Sequence, residues 1–282
     1  MMGPATIRQN RISYIIAVRD GASTIKQTLD SLGDQRGADV QVIVVDGASS
    51  DATMSIVDRH PVVTCVESRP DSGIYQAWNR GLRHATGEWI SFLGADDRLP
   101  DPGTARSLLT EAVRAREAGY SYVYGGCILE SSNGKFRCHV SKKVDLTKGL
   151  DLPSHPGSLH HRTLIDRLGG FDEKFRIAGD LDLLARMWQD CPGWFVPDVD
   201  TAVRQLGGVS TNARFIRRVL AEHQEIQTRY GLPGGRLQRG ALLAGHYFRG
   251  VLWSTLPPQV AASITDGVRL LFGLDRMWTR RP

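Results

Sequence analysis

Short apolar runs alternate with amphipathic helical segments along the first third of the chain, and this alternation restricts the fold more than any other feature. The runs are rich in β-branched residues, which favour strands, and polar turn residues follow them. The predicted strands are Ile12–Val18, Val40–Val45, Val62–Val66 and Glu88–Leu93, and the helices between them end at Leu32, Arg59 and about His84. Such an alternation builds a mostly parallel sheet with right-handed crossovers, and ligands bind at the carboxyl ends of its strands.

The rest of the chain mixes hairpin, extended and helical signals. Asn133-Gly134 predicts a hairpin turn between two extended segments. The further predicted elements are hairpin strands Tyr120–Leu129 and Lys135–Val140, helices Leu164–Leu168 and Leu181–Gln189, extended segments Phe195–Val199 and Thr201–Leu206, and an amphipathic helix Arg214–Tyr230. We therefore predict an α/β protein with a helical C-terminal region.

The positive charge of the chain is confined to its C-terminal part. The net charge is +5, and the isoelectric point is near 9.2. From Arg204 onward there are twelve arginines, no lysine and four acidic residues, a net +8, which leaves −3 for residues 1–203. A basic protein suggests a polyanionic partner, such as nucleic acid, an anionic membrane or a phosphate-bearing ligand. No nucleic-acid recognition motif accompanies the arginines, so a nucleic-acid-binding protein is the lesser alternative.

Cysteine spacing and hydropathy predict a cytosolic protein. The four cysteines are scattered singly: Cys65, Cys127, Cys138 and Cys191. They lack the spacing of a zinc site and indicate reduced thiols. The N-terminus has no apolar signal-peptide core, and the uncharged stretch Gly250–Thr265 is shorter than the ~20 apolar residues of a spanning helix. We expect no transmembrane segment.

Acidic residues follow two of the predicted strands. Asp46 and Asp51 lie just past the second strand, and Asp96 and Asp97 lie just past the fourth. Carboxylates at one sheet edge suit a hard divalent cation, and Mg²⁺ takes only one or two of them beside substrate phosphates and water. Taken singly, Asp46 and Asp51 also fit a plain turn and a helix first turn. The adjacent Asp96 and Asp97 favour a functional site, because two like charges repel without a cation.

A third acidic group, Asp180 and Asp182, precedes a predicted helix. Residues two apart do not share a helix face, so one carboxylate would cap the helix while the other faces inward. Helix capping and catalysis account for this pair about equally well.

Five segments follow one another in the order SYIIAVRDGASTIKQTLDSL, VQVIVVDGASSDAT, ESRPDSGIYQAWNRGLRHATGEWISFLGADD, SHPGSLHHRTLIDRLGGFDEKFRIAGDLDLLAR and RQLGGVS. In this order they resemble the family 2 inverting glycosyltransferases, which have the GT-A fold. Together they span about residues 12–210, and their order makes the resemblance specific. It implies a GT-A catalytic domain over 1–210, with a nucleotide-binding half at 1–98 and an acceptor-side half at 99–210. Residues 211–282 then form a helical extension.

The resemblance also implies roles on the donor side of the site. Asp46 matches the carboxylate that binds the nucleoside base, and the turn from Ala17 to Arg19 matches the backbone that lines the base pocket. Asp71 belongs to the D-x-G-I-Y segment and joins the nucleotide-sugar site. Asp96 matches the acid on the ribose or diphosphate side.

The catalytic roles that the resemblance implies fall on later carboxylates. Asp97 matches the metal ligand, for Mn²⁺ or Mg²⁺, and Asp180 matches the general base, with Asp182 as the fallback. His155 matches a position that faces the acceptor or the diphosphate, although a capping or core histidine is an equal interpretation. The implied donor is a nucleotide diphosphate sugar, and the implied acceptor is a glycan or a lipid-linked glycan.

The expected activity is metal-dependent transfer of a hexosyl group with inversion, in surface polysaccharide or lipid-linked glycan synthesis. The alternatives are a nucleotidyltransferase on a related α/β fold and a nucleic-acid-binding protein. A nucleotidyltransferase needs a glycine-rich, basic phosphate loop, and Arg19-Asp20-Gly21 matches one poorly. A non-catalytic sugar-nucleotide-binding relative is a further alternative, against which the intact Asp97 and Asp180 argue.

The basic tail predicts an interaction with an anionic membrane surface. In its first helix the apolar stripe Phe215, Ile216, Val219 and Leu220 favours packing on the catalytic domain. For the remainder, which includes the apolar stretch Tyr247–Trp253, a peripheral position at the inner face of the membrane is favoured.

Overall fold

A computed structural model describes residues 7–130, 137–140, 143–144, 153–205, 215–232, 252 and 255–271. Eight strands form one sheet with helices packed against it. The strands are β1 (Arg8–Val18), β2 (Asp39–Asp46), β3 (Val63–Ser68), β4 (Gly87–Gly94), β5 (Tyr122–Glu130), β6 (Arg137–Val140), β7 (Leu159–His161) and β8 (Trp194–Gln205). The helices are α1 (Ile25–Gly33), α2 (Thr53–Val57), α3 (Ile74–Leu82), α4 (Thr104–Glu117), α5 (Arg162–Leu168), α6 (Gly179–Trp188), α7 (Ile216–Tyr230) and α8 (Pro258–Leu271).

The first four strands form the parallel half of the sheet, in the order β3-β2-β1-β4. This confirms the predicted α/β fold with a mostly parallel sheet. The register places Val18 of β1 opposite Asp46 of β2, and Asp46 opposite Ser68 of β3. The carboxyl ends of these strands therefore lie side by side, which brings the loops after them together.

The second half adds antiparallel pairs. The short strand β7 joins β4 to β5, and the predicted hairpin is the antiparallel pair of β5 and β6. Its predicted turn, Asn133-Gly134, lies outside the described residues. The two extended segments predicted near residue 200 are one strand, β8, which runs parallel to β5. Where the sequence predicts a break between the two segments, the pairing of β8 with β5 shifts register instead. Gly125 lies at this shift, where a Cβ would be only 2.0 Å from the carbonyl oxygen of Val199.

Two apolar layers cover the two faces of the sheet. One contains Ile15, Phe92 and Leu184, and the other contains Tyr14, Trp89 and Leu108. Adjacent strand residues belong to opposite layers because strand side chains alternate between faces. Helix α3 packs on β1 at Gly81, where a Cβ would lie 2.2 Å from the Cγ2 of Ile15.

Helix α7 packs against α6, and Val219 and Ile226 on its inner face are buried. This contact supports the packing interpretation of the stripe in α7. In contrast, α8 leaves Val260, Ile264 and Leu271 exposed. Among the described helices, none has the length and hydropathy that crossing a membrane requires. The division of the chain at residue 210 stays a prediction.

Candidate active site

Hydrogen bonds join the loops that follow β1 and β2 into one rim. The backbone N–H of Asp20 donates to Ser49 Oγ at 2.8 Å, and the N–H of Ser50 donates to Asp20 Oδ1 at 2.8 Å. The N–H of Gly21 donates to Thr53 Oγ1 at 2.9 Å. Asp20 has a positive φ of 51°, which short polar residues tolerate in tight turns. The loop after β1 is therefore held in a fixed position above the sheet edge.

Asp46 is fully buried at the end of β2 and organises this rim. Its Oδ2 accepts from the N–H of Ser49 at 3.0 Å and from Ser68 Oγ at 2.6 Å, and its Oδ1 accepts from Ser49 Oγ. A buried carboxylate is stable only with such donors. Asp46 therefore fixes the loop between β2 and α2 from below, while its own oxygens face protein donors.

Gly47, the residue after Asp46, leaves room for two further predicted site residues, Asp71 and Arg19. A Cβ on Gly47 would lie 2.7 Å from Asp71 Oδ2 and 3.4 Å from the Cβ of Arg19. Asp71 Oδ1 accepts from the N–H of Gly73 at 3.0 Å, directly before α3. Arg19 is exposed, and Ala17 is buried in β1 beside β2 and β4. The structure thus brings together Ala17, Arg19, Asp46 and Asp71.

Asp96 and Asp97 turn back over the end of β4. A Cβ on Gly94 would lie 2.8 Å from Asp96 Oδ1 and 3.2 Å from Asp97 Oδ2, so a larger residue here would displace at least one of these carboxylates. The N–H of Gly94 donates to Asp97 Oδ2 at 2.8 Å. Asp97 is buried and Asp96 is exposed. Burial raises the pKa of Asp97 to about 6, Arg204 opposes this rise, and the charge of Asp96 adds to it.

These two carboxylates fit one divalent cation. The raised pKa of Asp97 means that its negative charge lacks full compensation from the protein. Among the residues that the structure describes, no group of three or more His, Cys, Asp or Glu side chains is placed to hold a metal ion. A site with so few protein ligands fits Mg²⁺ or Mn²⁺, which fill their remaining positions with phosphate oxygens and water.

Arg204 of β8 is a candidate site residue whose role the sequence analysis missed. Its Nε lies 4.0 Å from Asp97 Oδ1 and has no hydrogen-bond partner within the described part of the chain. Its charge lowers the pKa of Asp97, of Asp180 and of His155. Arg204 therefore lies beside Asp97, and its charge also acts on Asp180 and His155. This arginine begins the segment RQLGGVS, which resembles the family, and its place there is the sequence signal that could have identified it.

Asp180 is half-buried in the first turn of α6. Its Oδ1 accepts from the N–H of Leu181 at 2.9 Å and lies 3.3 Å from the hydroxyl oxygen of Tyr75, whose proton goes to the carbonyl oxygen of Ile177. Burial raises its pKa, although the Leu181 N–H, Arg204 and His223 act in the opposite direction. A partly exposed carboxylate with a raised pKa is suited to general-base chemistry.

Asp182, the fallback base, has a different environment. Its side chain is fully buried, and its Oδ2 accepts from Arg186 Nε at 2.9 Å. Its Oδ1 accepts from the hydroxyl of Tyr230 at 2.8 Å and lies 3.4 Å from a guanidinium nitrogen of Arg229. Oδ1 thus joins α6 to α7, Oδ2 is held by Arg186 within α6, and the buried side chain leaves neither oxygen exposed.

His155 lies in an aromatic cluster beneath the site. Its ring stacks on Phe92, with centroids 5.6 Å apart, and also contacts Trp78, Phe171 and His160. It is only 2% exposed, and neither ring nitrogen has a hydrogen-bond partner within the described part of the chain. Burial lowers the pKa of His155 to about 3, so the ring is neutral at pH 7. This placement favours the interpretation of His155 as a core residue.

The fold and the site define an α/β protein with acidic residues gathered where its parallel strands end. The family model for "Glycosyl transferase family 2" matches residues 13–166, and the chain therefore belongs to this family and is a glycosyltransferase. This confirms the resemblance noted in the sequence.

Named relatives from bacteria are similar over most of the chain. A "PGL/p-HBAD biosynthesis glycosyltransferase" of Mycobacterium bovis is 29% identical over 182 residues, which cover 63% of this chain and 70% of the relative. The "Succinoglycan biosynthesis protein ExoO" of Rhizobium meliloti is 28% identical over 204 residues, which cover 66% of this chain and 58% of the relative.

Solved structures share the fold. S. aureus TarS 1–349 in complex with UDP-GlcNAc superposes with a TM-score of 0.60 at 18% identity, covering 87% of this chain and 73% of TarS 1–349. The mannosyltransferase PcManGT from Pyrobaculum calidifontis, in complex with GDP-Man and Mn²⁺, gives a TM-score of 0.58 at 22% identity, covering 95% and 77%. The fold is that of the GT-A glycosyltransferases.

Proposed function

We propose that this glycosyltransferase moves a hexosyl group from a nucleotide diphosphate sugar to an acceptor hydroxyl, with inversion and with a divalent cation. The observation that carries the proposal is the grouping around Arg204. Its charge acts on Asp97 at the end of β4 and on Asp180 at the start of α6. In this proposal Asp97 would bind the cation, Arg204 would face a phosphate of the donor, and Asp180 would act as the base.

Donor recognition is assigned to the rim after β1 and β2. Asp46 holds the rim from below, and Arg19 and Asp71 line it beside Gly47. The base would lie against the backbone from Ala17 to Arg19. In this arrangement Asp46 would act on the nucleoside through the loop that it orders, because its own oxygens are buried against Ser49 and Ser68.

The diphosphate end of the donor is assigned to the end of β4. Asp97 would bind the cation from its buried position, and the exposed Asp96 would approach the ribose or the diphosphate. A bound Mg²⁺ or Mn²⁺ supplies Lewis-acid compensation for the charge of a nucleoside diphosphate leaving group. The guanidinium of Arg204, 4.0 Å from Asp97, would lie close to the same phosphates.

Asp180 is assigned the role of general base. It would take the proton of the acceptor hydroxyl as that oxygen attacks the anomeric carbon from the face opposite the leaving group. A single displacement of this kind inverts the configuration and needs no protein nucleophile. We favour Asp180 over Asp182 for this role because both oxygens of Asp182 are buried in ion pairs and hydrogen bonds.

The acceptor and the location are proposed from the relatives and from the tail. The names of the similar proteins refer to succinoglycan and to PGL/p-HBAD biosynthesis, which agrees with a surface polysaccharide or a lipid-linked glycan as acceptor. The protein would act in the cytoplasm, peripherally at the inner face of the membrane. The exposed apolar residues of α8 and the net +8 from residue 204 onward support this position.

A thermal-shift panel of nucleotide sugars, with and without Mn²⁺ or Mg²⁺, tests the donor and the cation together. A donor present at 100 times its dissociation constant adds about 2.7 kcal/mol to the stability of the folded state. We expect one nucleotide class to raise the melting temperature more with metal than without it. In Asp97→Ala the metal-dependent increment should disappear.

Two results would contradict the proposal. If Asp97→Ala showed a metal-dependent rise in melting temperature equal to that of the wild type, the cation would not bind at the end of β4. Release of pyrophosphate instead of a nucleoside diphosphate would identify a nucleotidyltransferase.

A further inference from the structure

A carboxylate from α7 binds the backbone that leads into the catalytic helix. Glu222 Oε2 accepts from the N–H groups of Ile177 and Ala178, both at 2.9 Å, and Glu222 Oε1 accepts from the N–H of Arg176 at 3.0 Å. Three consecutive backbone donors therefore converge on one side chain, which is 8% exposed. Hydrogen bonds to an ionised acceptor are stronger than those between neutral groups.

The segment 176–178 ends at the helix that carries Asp180. Helix α6 follows Ala178, whose side chain has no polar atom with which to cap the helix. Free N–H groups at a helix start need acceptors, and a negative charge is favourable there. Glu222 accepts from the N–H of the N-cap residue Ala178 and brings a negative charge to the start of α6 from a different helix.

The same segment is also held from the opposite side. The hydroxyl of Tyr75 in α3 donates to the carbonyl oxygen of Ile177 at 2.6 Å and lies 3.3 Å from Asp180 Oδ1. The peptide groups before α6 are thus bound by Tyr75 through a carbonyl and by Glu222 through N–H groups. Asp180 follows Ala178 by two residues, so the position of Asp180 depends on this segment, which is bound on both sides.

We infer that Glu222 is a positioning residue that fixes Asp180 by binding the N–H groups of 176–178. The inference rests on the proposed role of Asp180 as base. Glu222 lies outside residues 13–166, which the family model matches, and it is 42 positions from Asp180 in sequence.

Helix α7 also provides a matched control. Glu225 lies one turn further along the helix, is more exposed, and pairs with Lys174 and Arg229. It therefore connects α7 to the catalytic region through side chains alone and leaves the segment 176–178 untouched. Glu222→Gln and Glu225→Gln each remove one negative charge from the same helix, and the Gln side chain keeps the size of Glu.

Amide hydrogen exchange measures the positioning directly. Gln at 222 keeps one acceptor oxygen and turns an amide N–H₂ toward donors that need an acceptor. In Glu222→Gln the amides of 176–178 should exchange at least tenfold faster, whereas in Glu225→Gln they should change less than twofold. Unchanged exchange in Glu222→Gln would overturn the inference without reference to activity.

Turnover measures the consequence, with release of nucleoside diphosphate from UDP-GlcNAc or GDP-mannose and Mn²⁺ as the assay. Glu222→Gln should lower kcat at least tenfold and leave the dissociation constant of the nucleotide sugar within twofold, whereas Glu225→Gln should match the wild type in both. Equal losses of kcat and donor binding in folded Glu222→Gln would show a general structural role and overturn the inference.

Asp180→Asn distinguishes a failure of the proposed base from a failure of the positioning role of Glu222. If Asp180→Asn turns over normally, the proposed base is wrong whatever Glu222→Gln does. If Asp180→Asn is inactive while Glu222→Gln keeps a normal kcat, only the positioning inference fails.

Discussion

At the residue scale, the buried histidines connect the core beneath the site with the stability of the protein. His155 and His160 are buried next to each other, with ring centroids 5.1 Å apart, and burial lowers the pKa of both. They stay neutral in the folded protein at pH values at which an unfolded chain would protonate them. Unfolding in mild acid therefore gains protons, which makes the folded state less stable as the pH falls.

The pKa of His155 predicts the size of this effect. With a folded pKa of about 3 and an unfolded pKa of 6.5, its contribution is complete above pH 6.5 and declines as the pH falls toward 3. Between pH 7 and pH 5, His155 alone should lower the free energy of unfolding by about 2 kcal/mol. Urea denaturation at both pH values measures it. His155→Gln should lose that part of the pH dependence, and an unchanged dependence would contradict the assignment.

At the element scale, the contact of α3 with the sheet depends on one glycine. Gly81 faces β1 and β2, where a Cβ would lie 2.2 Å from Ile15 Cγ2 and 3.1 Å from Val45 Cγ2. Helix α3 also carries Tyr75, whose hydroxyl donates to the carbonyl oxygen of Ile177 and lies 3.3 Å from Asp180 Oδ1. The close approach at Gly81 thus helps to set the distance between the sheet and α6.

Two helical glycines make a matched pair for testing this contact. Gly81→Ala should lower the free energy of unfolding by about 1–3 kcal/mol, because the new methyl group forces α3 away from β1. Gly267→Ala in α8 meets no atom within 4 Å and should raise it by up to about 1 kcal/mol through helix propensity. Denaturant titration of both variants is the measurement. If Gly81→Ala left the free energy of unfolding unchanged, α3 would be able to move away from β1 without loss of stability.

The sequence predicts elements well where one local pattern decides them. The β-branched run of β2 identified its strand because a buried parallel strand is apolar throughout. The three-residue strand β7 carries no such pattern, because β7 is extended only through its pairing with β4 and β5. Asp46, Asp96 and Asp97 can be predicted as candidate site residues because they follow strands. The roles of Arg204 and Glu222 depend on contacts between distant parts of the chain, which spacing does not encode.

At the scale of the whole molecule, the separation of charge corresponds to two kinds of surface. The proposed site uses carboxylates of the mildly acidic front part, and the basic region includes α8. On that helix Val260, Ile264 and Leu271 are 44%, 36% and 85% exposed. Positions 260 and 264 lie one turn apart, and 271 falls near the same side. Apolar residues on a helix within a cationic region favour binding to an anionic membrane surface.

Vesicle sedimentation tests this surface. At low salt the full-length protein should sediment with vesicles that contain phosphatidylglycerol and remain in solution with phosphatidylcholine alone, because each arginine near an anionic surface contributes about 1 kcal/mol. Ile264→Asp should weaken the binding. Failure of the wild type to sediment at low salt would exclude the membrane role of the tail.

The role of Asp180 is the central claim, and the turnover of Asp180→Asn tests it most directly. Asparagine keeps the shape of the side chain and removes the basic oxygen. We expect the dissociation constant of the nucleotide sugar to stay within about threefold of the wild type, while nucleoside diphosphate release falls by about 100-fold or more. Normal turnover by Asp180→Asn, with donor binding unchanged, would contradict the account.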